Sequence, residues 1–360
     1  MTSIWLLGAT GRGGRTVAQA LTARGIPVVL LGRNPQQLAS VAGSLNGGPD
    51  AVETLAVAGL SEVPSLIERH RPGVIVNTVG PFTQTGIPLA LACLKAGTHY
   101  VDLANELDAV LRLLDLNAEA HDRGITIVTG AGFGVLATEA LTITLRGERE
   151  PALKAQVAAL PAVEALGSAV LSSSVDVLAY GGRRYHDGRL VRNRFGADHI
   201  RISLPSGGSR QAVGVPTGEL EAARRASGAG EVVAYSSEVP SGRIARALLP
   251  VMSVVLSVTA IRRQVLRLIE HLRLAPPVSR GEVSWAYARL EWADHSNAEA
   301  WLRTGEGYAF TGEVAALVAD GLREGSLSAG AFTPGALFGP TLAVRAGAEI
   351  LLSANKKAMS

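Results

Sequence analysis

Three ionisable side chains lie close together after a short apolar run, and their types suit proton transfer. They are Tyr100, Asp102 and Glu106. A phenol or a carboxyl group can exchange a proton with a reacting carbon, oxygen or nitrogen atom. If His99–Leu103 is a strand, alternation turns Tyr100 and Asp102 to one face. Helix capping would equally explain Asp102 or Glu106. We treat all three as candidate catalytic residues, with Tyr100 or a bound water as the proton donor.

A glycine-rich segment near the N-terminus has the spacing of a phosphate-binding turn. It lies between the apolar run Ser3–Leu7 and a helical pattern that stops at Gly25, and a second apolar run, Pro27–Leu31, follows. Glycine permits the tight turn and lets backbone N–H groups approach a pyrophosphate at a helix start. This order of strand, turn, helix and strand predicts a dinucleotide-binding unit. Its candidate cofactor contacts are Gly8, Ala9, Thr10, Gly11, Arg12, Gly13 and Gly14.

The end of the second strand indicates which nicotinamide dinucleotide is preferred. An NAD-preferring protein places an acidic residue there to accept from the ribose 2′-hydroxyl, whereas this chain has Arg33 and Asn34. A guanidinium suits a 2′-phosphate, and Asn34 and Arg12 are close enough in sequence to help. The sequence therefore predicts NADP(H), with a solvated surface arginine as the alternative.

A third candidate segment follows the buried-strand pattern Gly73–Asn77. The carboxyl ends of parallel strands carry the ligand-contacting loops of an open α/β sheet, and this loop holds Thr78, Val79, Gly80, Pro81 and Phe82. The Phe82 ring could stack on a nicotinamide or adenine ring, or it could belong to the core. The pattern leaves both alternatives open.

The alternation of strands and helices sets the predicted fold class, α/β. An N-terminal Rossmann-type parallel sheet runs to Ile125–Val128 and is followed by a glycine-rich exit loop, 130–134. A second α+β domain with a mostly antiparallel sheet is predicted from short extended stretches separated by turns. We expect the boundaries 1–132 for the NADP-binding domain, with a return segment at about 330–360, and 133–329 for a substrate and dimerisation domain. The extended stretches predicted for the second domain are 154–160, 175–180, 199–204, 211–215 and 231–236. The same domain is predicted to contain two hairpins, 185–190 and 282–304, and a helix from 242 to about 274.

Composition excludes several classes of protein. The 360 residues carry a net charge of +3 without a long basic run, so a nucleic-acid partner is not expected. The single cysteine, Cys93, rules out intramolecular disulfides and thiolate-rich metal sites and fits a cytoplasmic location. The histidines show no metal-binding spacing, and we expect His186 to be an exposed turn residue. The apolar stretch Ala247–Ile261 is too short for a standard membrane span.

Four segments together resemble the saccharopine dehydrogenase-like superfamily, which includes the bacterial trans-acting enoyl reductases. They are Gly8–Gly11, Asn77–Phe82 with Gly86 and Pro88, Ala96–Leu103 with Glu106, and Gly330–Gly339. The resemblance covers about residues 1–145 and the region from Gly307 onward. It implies a Rossmann domain, a second α+β domain, and hydride transfer from NADPH to a C=N or activated C=C bond.

One departure from that family concerns the exit loop. The acyl reductases of the family often carry Gly-Phe-Asp-Ser where this chain has Gly132-Phe133-Gly134-Val135. Three functions stay open: reduction of an activated alkene on a hydrophobic or carrier-linked acyl chain, reduction of an amino-acid-derived imine, and NADPH binding without turnover as a sensor or scaffold. Arginines such as Arg183, Arg184 and Arg194 at the cleft would favour the imine, because carboxylates seek bidentate partners. A homodimer is expected in each case.

Overall fold

A computed structural model describes residues 3–45, 51–162, 168–239, 241–271, 283–325 and 327–353. The chain forms two compact units, each made of two pieces. The first unit comprises Met1–Phe133 and Tyr308–Phe338, and the second comprises Gly134–Gly307 and Gly339–Ser360.

Sixteen strands lie in the described part of the chain. They are β1 Ile4–Leu7, β2 Val28–Gly32, β3 Val52–Ala56, β4 Val74–Asn77, β5 His99–Asp102, β6 Thr126–Val128, β7 Lys154–Leu160, β8 Arg183–His186, β9 Arg189–Arg192, β10 His199–Ser203, β11 Ser209–Gly214, β12 Glu231–Ser236, β13 Ser284–Glu291, β14 Asn297–Thr304, β15 Gly330–Phe332 and β16 Glu349–Leu352.

Fourteen helices accompany them in the same described ranges. They are α1 Arg12–Ala23, α2 Pro35–Gly43, α3 Val63–His70, α4 Phe82–Ala96, α5 Leu107–Leu114, α6 Asn117–Asp122, α7 Phe133–Arg146, α8 Ser168–Tyr180, α9 Gly218–Ser227, α10 Arg243–Ser257, α11 Thr259–His271, α12 Gly307–Glu324, α13 Pro334–Phe338 and α14 Thr341–Arg345.

The first unit contains a seven-stranded sheet in the order β15-β6-β5-β4-β1-β2-β3, and all its pairs are parallel. Strands β1, β4 and β6 are buried along their whole length, and their sequences are apolar except for Asn77 at the end of β4 and Thr126 at the start of β6. The order reverses between β1 and β4, because the chain builds outward from β1 in both directions. Leu7 pairs with both Leu31 and Asn77, so the loops that follow β1, β2 and β4 start at one edge of the sheet. That edge is the usual ligand position of an open α/β sheet.

The second unit contains a nine-stranded, mostly antiparallel sheet among its described residues, with the path β10-β11-β12-β7-β13-β14-β16. Only the β12–β7 pair is parallel, and β8 and β9 form a hairpin that pairs through β8 with β12. At the tip of this hairpin Asp187 and Gly188 have φ angles of 49° and 72°, as a two-residue turn of the I′ type requires. The predicted antiparallel sheet and this hairpin are confirmed.

Three local predictions differ from the structure. Val175–Tyr180 was expected to be extended but is the last part of α8, which packs against α10 and α11. The sequence Leu107–Arg123 predicts a single helix, whereas the structure has two there, α5 and α6. The segment predicted as one helix from Gly242 is likewise two, α10 and α11, because Val258 between them is extended (φ −73°, ψ 110°); residues 272–274 of that prediction lie outside the described residues.

The C-terminal division of the chain also differs from the expected boundaries. Helix α12, which the prediction assigned to the second domain, belongs to the first unit, and β16, which was expected to return to the Rossmann domain, pairs with β14 in the second unit. The return segment is therefore Tyr308–Phe338. Its helix packs on α1: a Cβ added at Gly312 would lie 2.6 Å from the carbonyl oxygen of Thr16.

Among the described helices, none alone has the length and apolar character to cross a membrane. One pair of successive helical segments, Arg246–Ser257 and Thr259–Ile269, is long and apolar enough when the two are taken together, and the pair is bent by 101°.

Candidate functional site

The turn after β1 fits closely against the loop after β4. Gly8 has a φ of 86°, and a Cβ there would lie 2.7 Å from both Thr78 Oγ1 and Val79 Cγ2. The Thr78 hydroxyl donates to the Leu7 carbonyl oxygen at 2.8 Å, which ties the two loops together. Only glycine satisfies both the backbone angle and the space at position 8. A Cβ at Gly14 would similarly meet the Ala9 Cα at 2.8 Å, so glycine there lets α1 approach the turn.

Helix α1 begins in the way that anion-binding helices do. Its N-cap residue is Gly11, which offers no capping side chain, and its first turn contains no acidic residue. A phosphate can therefore approach the helix start without competing against a protein carboxylate. The guanidinium of Arg12 lies 3.9 Å from the centre of the Tyr308 ring of α12. Tyr308 was not among the predicted site residues, since nothing in the sequence around it indicates that α12 returns to α1.

The end of β2 presents Arg33 and Asn34 to solvent. Arg33 is exposed, and its guanidinium makes no hydrogen bond or ion pair within the described ranges. Asn34 caps α2, because its Oδ1 accepts a hydrogen bond from Gln37 N at 3.0 Å. A Cβ at Gly32 would lie 3.7 Å from Thr10 Cγ2, so the strand end adjoins the glycine turn. The Arg33 guanidinium is thus available to contact a group from outside the chain.

The loop after β4 is fixed by hydrogen bonds of its own side chains. Val79 N donates to Asn77 Oδ1 at 3.0 Å, and the Thr85 hydroxyl donates to the Val79 carbonyl oxygen at 2.7 Å. The Gly80–Pro81 peptide is cis. Phe82 is the first residue of α4, and its ring is buried in the main hydrophobic cluster of the unit. Of the two alternatives for Phe82, the structure favours a core residue, while the backbone of the loop stays at the ligand edge.

Tyr100 and Asp102 meet in the interior of the first unit. The Tyr100 hydroxyl donates to Asp102 Oδ2 at 3.0 Å and accepts from Asn77 Nδ2 at 3.1 Å, and both residues are fully buried. The predicted shared face of these two side chains is confirmed. The Tyr100 hydroxyl is therefore enclosed, with one donor and one acceptor of the protein as its partners.

Asp102 collects donors from two loops of the sheet edge. Its Oδ1 accepts from Ala104 N, Thr129 Oγ1 and Gly130 N at 3.1, 2.9 and 3.1 Å. Burial raises the pKa of Asp102, these hydrogen bonds lower it, and burial has the larger effect, so the pKa is about 6. Burial and the neighbouring Asp102 also raise the pKa of Tyr100 well above its ordinary value. The pair fixes the start of the loop after β6, and Thr129, which sequence reasoning did not single out, is part of it.

Glu106 is buried and joins the loop after β5 to α4. Its Oε1 accepts from Phe82 N at 3.3 Å, and its Oε2 accepts from Asn105 N at 3.2 Å. Glu106 itself occupies the N-cap position of α5, as expected, but its side chain makes no capping bond to that helix. The carboxylate instead lies at the N-terminus of α4, where the helix dipole favours negative charge.

The loop after β6 completes this edge of the first unit. Ala131 N donates to the Asp102 carbonyl oxygen at 2.8 Å, and Phe133 N donates to Thr311 Oγ1 of α12 at 3.1 Å. The loops after β1, β4, β5 and β6 therefore hold one another through short polar contacts. The arrangement is a rigid rim of backbone amides and small side chains, suited to binding a ligand at the switch point between β1 and β4.

Two other groups of side chains lie outside this rim. Cys93 is fully buried, and desolvation raises the pKa of its thiol, so that it resembles a core residue. In the second unit the ligand atoms of His186, Asp187 and Glu231 lie within 4.8 Å of one another. Arg184 Nη2 already donates to Glu231 Oε2 at 3.1 Å, and the His186 side chain is exposed as expected.

Known proteins resemble this chain in two different ways. Residues 4–128 match the model of the saccharopine dehydrogenase NADP binding domain. The trans-acting enoyl reductase of Mycobacterium ulcerans is 41% identical over 141 residues, which are 38% of this chain and 33% of that protein. Its counterpart from Mycobacterium tuberculosis is 36% identical over the same length. The match thus spans about a third of the length of these relatives.

The fold of a solved structure is similar over nearly the whole chain. Saccharopine dehydrogenase (L-Glu forming) from Saccharomyces cerevisiae superposes with a TM-score of 0.60 at 14% identity, covering 98% of this chain and 100% of that chain. At this identity the likeness concerns the fold alone. Residues 4–128, which hold the glycine turn and six of the seven strands of the parallel sheet, are thus similar to the saccharopine dehydrogenase NADP binding domain.

Proposed function

We propose that this chain is an NADPH-dependent reductase whose first unit holds the dinucleotide at the rim formed by the loops after β1, β2 and β4. The observation that carries the proposal is the Gly8 turn. It approaches Thr78 and Val79 too closely for any side chain, and it leads into a helix start without a protein cap. The match of residues 4–128 to an NADP-binding family supports the same ligand.

Arg33 is proposed to distinguish NADPH from NADH. The guanidinium is exposed beside the glycine turn, where an acidic residue would repel a 2′-phosphate. Arg12 and Asn34 are proposed as further contacts, Asn34 through its Nδ2 group because its Oδ1 caps α2. The remaining proposed contacts are the backbones of the glycine turn and of the loop Thr78–Pro81.

Bound NADPH would supply a hydride to an electrophilic carbon of the substrate. The chain's own contribution is proposed to be positioning: Asn77 and Asp102 fix the loops by accepting hydrogen bonds from loop backbone N–H groups, and Glu106 fixes the start of α4. A bound water is proposed to donate the proton. Under this proposal a Tyr100→Phe enzyme keeps its rate of hydride transfer in a single turnover, whereas loss of that transfer would return Tyr100 to a catalytic role.

The preferred substrate class is an activated alkene on an acyl chain. The relatives at 36–41% identity are named trans-acting enoyl reductases, although the match covers only about a third of their length. Two of the arginines that a substrate carboxylate would require are engaged elsewhere in the second unit. Arg184 pairs with Glu231 at 3.1 Å and Asp198 at 3.5 Å, and Arg183 lies 4.6 Å from the centre of the Tyr180 ring.

Reduction of an imine is the second candidate. It is favoured by one observation, the full-length likeness of the fold to saccharopine dehydrogenase. A panel of 2-enoyl thioesters and of 2-oxo acid and amine pairs, each tested for NADPH oxidation, separates the two. We expect turnover with the thioesters. Turnover only with the oxo acid and amine pairs would support the imine, and NADPH binding without any turnover would support a sensor or scaffold.

Cofactor binding is tested by isothermal titration calorimetry with both dinucleotides. We expect NADPH to bind more tightly than NADH. Arg33→Ala should weaken NADPH binding roughly tenfold to a hundredfold, because a hydrogen bond to a charged group contributes about 1.5–3 kcal/mol. NADH binding should stay unchanged. Arg123→Ala, an exposed arginine after α6, serves as the matched control. If neither dinucleotide binds at millimolar concentration, the proposal is wrong.

A further inference from the structure

The second unit exposes an apolar surface on α10 and α11 that the proposed reductase site does not explain. Among the described residues, eight of the thirteen exposed large apolar side chains lie between Leu248 and Leu268. Val254 is 68% exposed and Val251 is 59% exposed, values that are unusual for apolar side chains in the middle of a helix. A concentration of exposed apolar side chains on two successive helices indicates an interaction site.

The exposed side of α10 is apolar apart from Ser257 at its C-terminal end, among the residues whose side chains are described. At about 100° per residue the exposed apolar side chains occupy an arc of roughly 160°, and none of the described residues within that arc is charged. The opposite side packs: Leu249 and Leu256 are buried in clusters with residues of α8 and of the nearby strands and loops. The exposed members are Ala247, Leu248, Val251, Met252, Val254 and Val255.

Helix α11 adds positive charge beside apolar side chains. Its exposed face carries Ile261 and Leu268, with Arg263 and Arg267 on the flank of the same face. Arg262 lies nearer the packed side, 4.0 Å from Asp176. Between residues 243 and 271 the sequence holds five arginines and one acidic residue, Glu270. Apolar side chains flanked by arginines are the pattern of helices that lie in the surface of an anionic membrane.

A pocket at the first half of α10 offers a place for an anionic group. It is open, has a volume of about 250 Å³, and is lined by Arg194, Gly196, Ala197, Arg246 and Ala247. The Nε–H of Arg246 is buried and has no hydrogen-bond acceptor among the described residues. An oxygen from outside the chain, such as that of a phosphate, would satisfy it.

We propose that the α10–α11 face binds the surface of a membrane that contains anionic phospholipid. The apolar side chains of α10 enter the interface between headgroups and acyl chains, and the arginines contact the phosphates. A second copy of this chain fits less well. A symmetric contact would bring together two faces that each carry the exposed Arg263 and offer no acidic side chain among those described.

The test is sedimentation of the full chain with lipid vesicles. We expect binding to vesicles of phosphatidylcholine with phosphatidylglycerol, little binding to phosphatidylcholine alone, and weaker binding at high salt. Removing Arg263 and Arg267 by substitution with Gln should lower the partition coefficient roughly fivefold per arginine. Val251→Gln with Val254→Gln should abolish binding without loss of fold, because both side chains are already exposed. Leu153→Gln with Leu352→Gln, at positions 47% and 61% exposed on other elements, is the matched control and should bind normally.

Three outcomes would overturn the proposal. If the Val251→Gln, Val254→Gln variant binds vesicles as well as the unaltered chain, α10 does not contact the membrane. If the chain binds neutral and anionic vesicles equally, the arginines do not contact lipid phosphates. Absence of vesicle binding, combined with a dimer in sedimentation velocity that the valine variant loses, would assign the face to a second copy of the chain.

Discussion

Asp102 is the side chain that joins the loops after β5 and β6 in the candidate site. It accepts a hydrogen bond from Tyr100 and three more from the loops after β5 and β6, although no positive charge pairs with it among the described contacts. Four donors can stabilise a buried carboxylate only in part, since desolvation still raises its pKa to about 6. The site therefore contains a group that titrates slightly below neutral pH.

The titration of Asp102 should be visible in the pH dependence of stability. The pKa of Asp102 in the folded state, about 6, lies above its ordinary value of 3.8, so the folded state holds the proton more tightly than the unfolded state. The resulting stabilisation is complete below about pH 3.8 and is lost as the pH rises through 6. Relative to Asp102→Asn, which does not titrate, the free energy of unfolding should fall by an amount on the order of 3 kcal/mol over this range. Urea unfolding of both proteins at each pH measures it, and parallel curves would contradict the assigned pKa.

A comparison of Gly8 with Gly25 separates the effect of a side-chain collision at the glycine turn from the effect of backbone strain. Both have positive φ, 86° and 70°, but a Cβ at Gly25 would meet nothing within 4 Å, whereas one at Gly8 would collide with Thr78 and Val79. Alanine at either position should cost about 1–3 kcal/mol of stability through the backbone angle. Only Gly8→Ala should also weaken NADPH binding, by tenfold or more, as measured by calorimetry. Equal affinities of the two variants would show that the close approach of the loops is unimportant for the cofactor.

At the scale of residues, the sequence predicted positions better than roles. Alternation correctly turned Tyr100 and Asp102 to one face, because a strand has a fixed period. It could not indicate that this face points into the interior, since burial depends on α4 and on the loop after β6. Thr311 and Tyr308 were missed for a related reason: their partners Phe133 and Arg12 are far away in the sequence.

At the scale of elements, the start of α4 is held by the carboxylate of Glu106, which lies in the loop after β5. Glu106→Ala would leave the buried Phe82 N–H without its acceptor, which should lower the free energy of unfolding by about 1–3 kcal/mol. Glu106→Gln keeps an acceptor oxygen, so its free energy of unfolding should fall by less than that of Glu106→Ala. Asp108→Ala removes an exposed carboxylate of α5 whose ion pair with Arg112 spans 4.0 Å, and it should change stability by less than about 0.5 kcal/mol. Urea unfolding ranks the three, and a Glu106→Ala protein as stable as Asp108→Ala would contradict the contact's importance.

The elements of the first unit were predictable where an apolar run and a turn signal coincided. Strands β1, β2 and β4 combine buried sequences with glycine or asparagine ends, and α2 begins at an asparagine cap followed by proline. The elements of the second unit were harder to predict from the sequence. Val175–Tyr180 is a short apolar stretch that was predicted to be extended, yet it packs against α10 and α11 as the end of a helix. No local signal marks the extended Val258 that divides α10 from α11. Tertiary contacts decide both cases.

At the scale of the whole molecule, the chain passes between its two units three times, after Phe133, Gly307 and Phe338. The sequence predicted a return to the first unit but placed it too late, because β15 carries a recognisable motif whereas α12 before it does not. The consequence is structural. Strand β15 covers β6, with Ala331 N donating to Asn117 Oδ1 at 2.9 Å, and α12 covers α1.

The first unit should therefore need both of its pieces to fold. A fragment that ends at Phe133 would expose β6 as an edge strand, leave Phe133 N without Thr311, and uncover the side of α1 that Gly312 approaches. We expect this fragment to lack a cooperative thermal transition. The same fragment joined by a Gly/Ser linker to residues 308–338 should unfold cooperatively and gain about 2.7 kcal/mol when NADPH is present at a hundred times its Kd. Circular dichroism with and without NADPH measures both. Cooperative, NADPH-stabilised unfolding of the shorter fragment would mean that the contacts of α12 and β15 are dispensable for the nucleotide-binding fold.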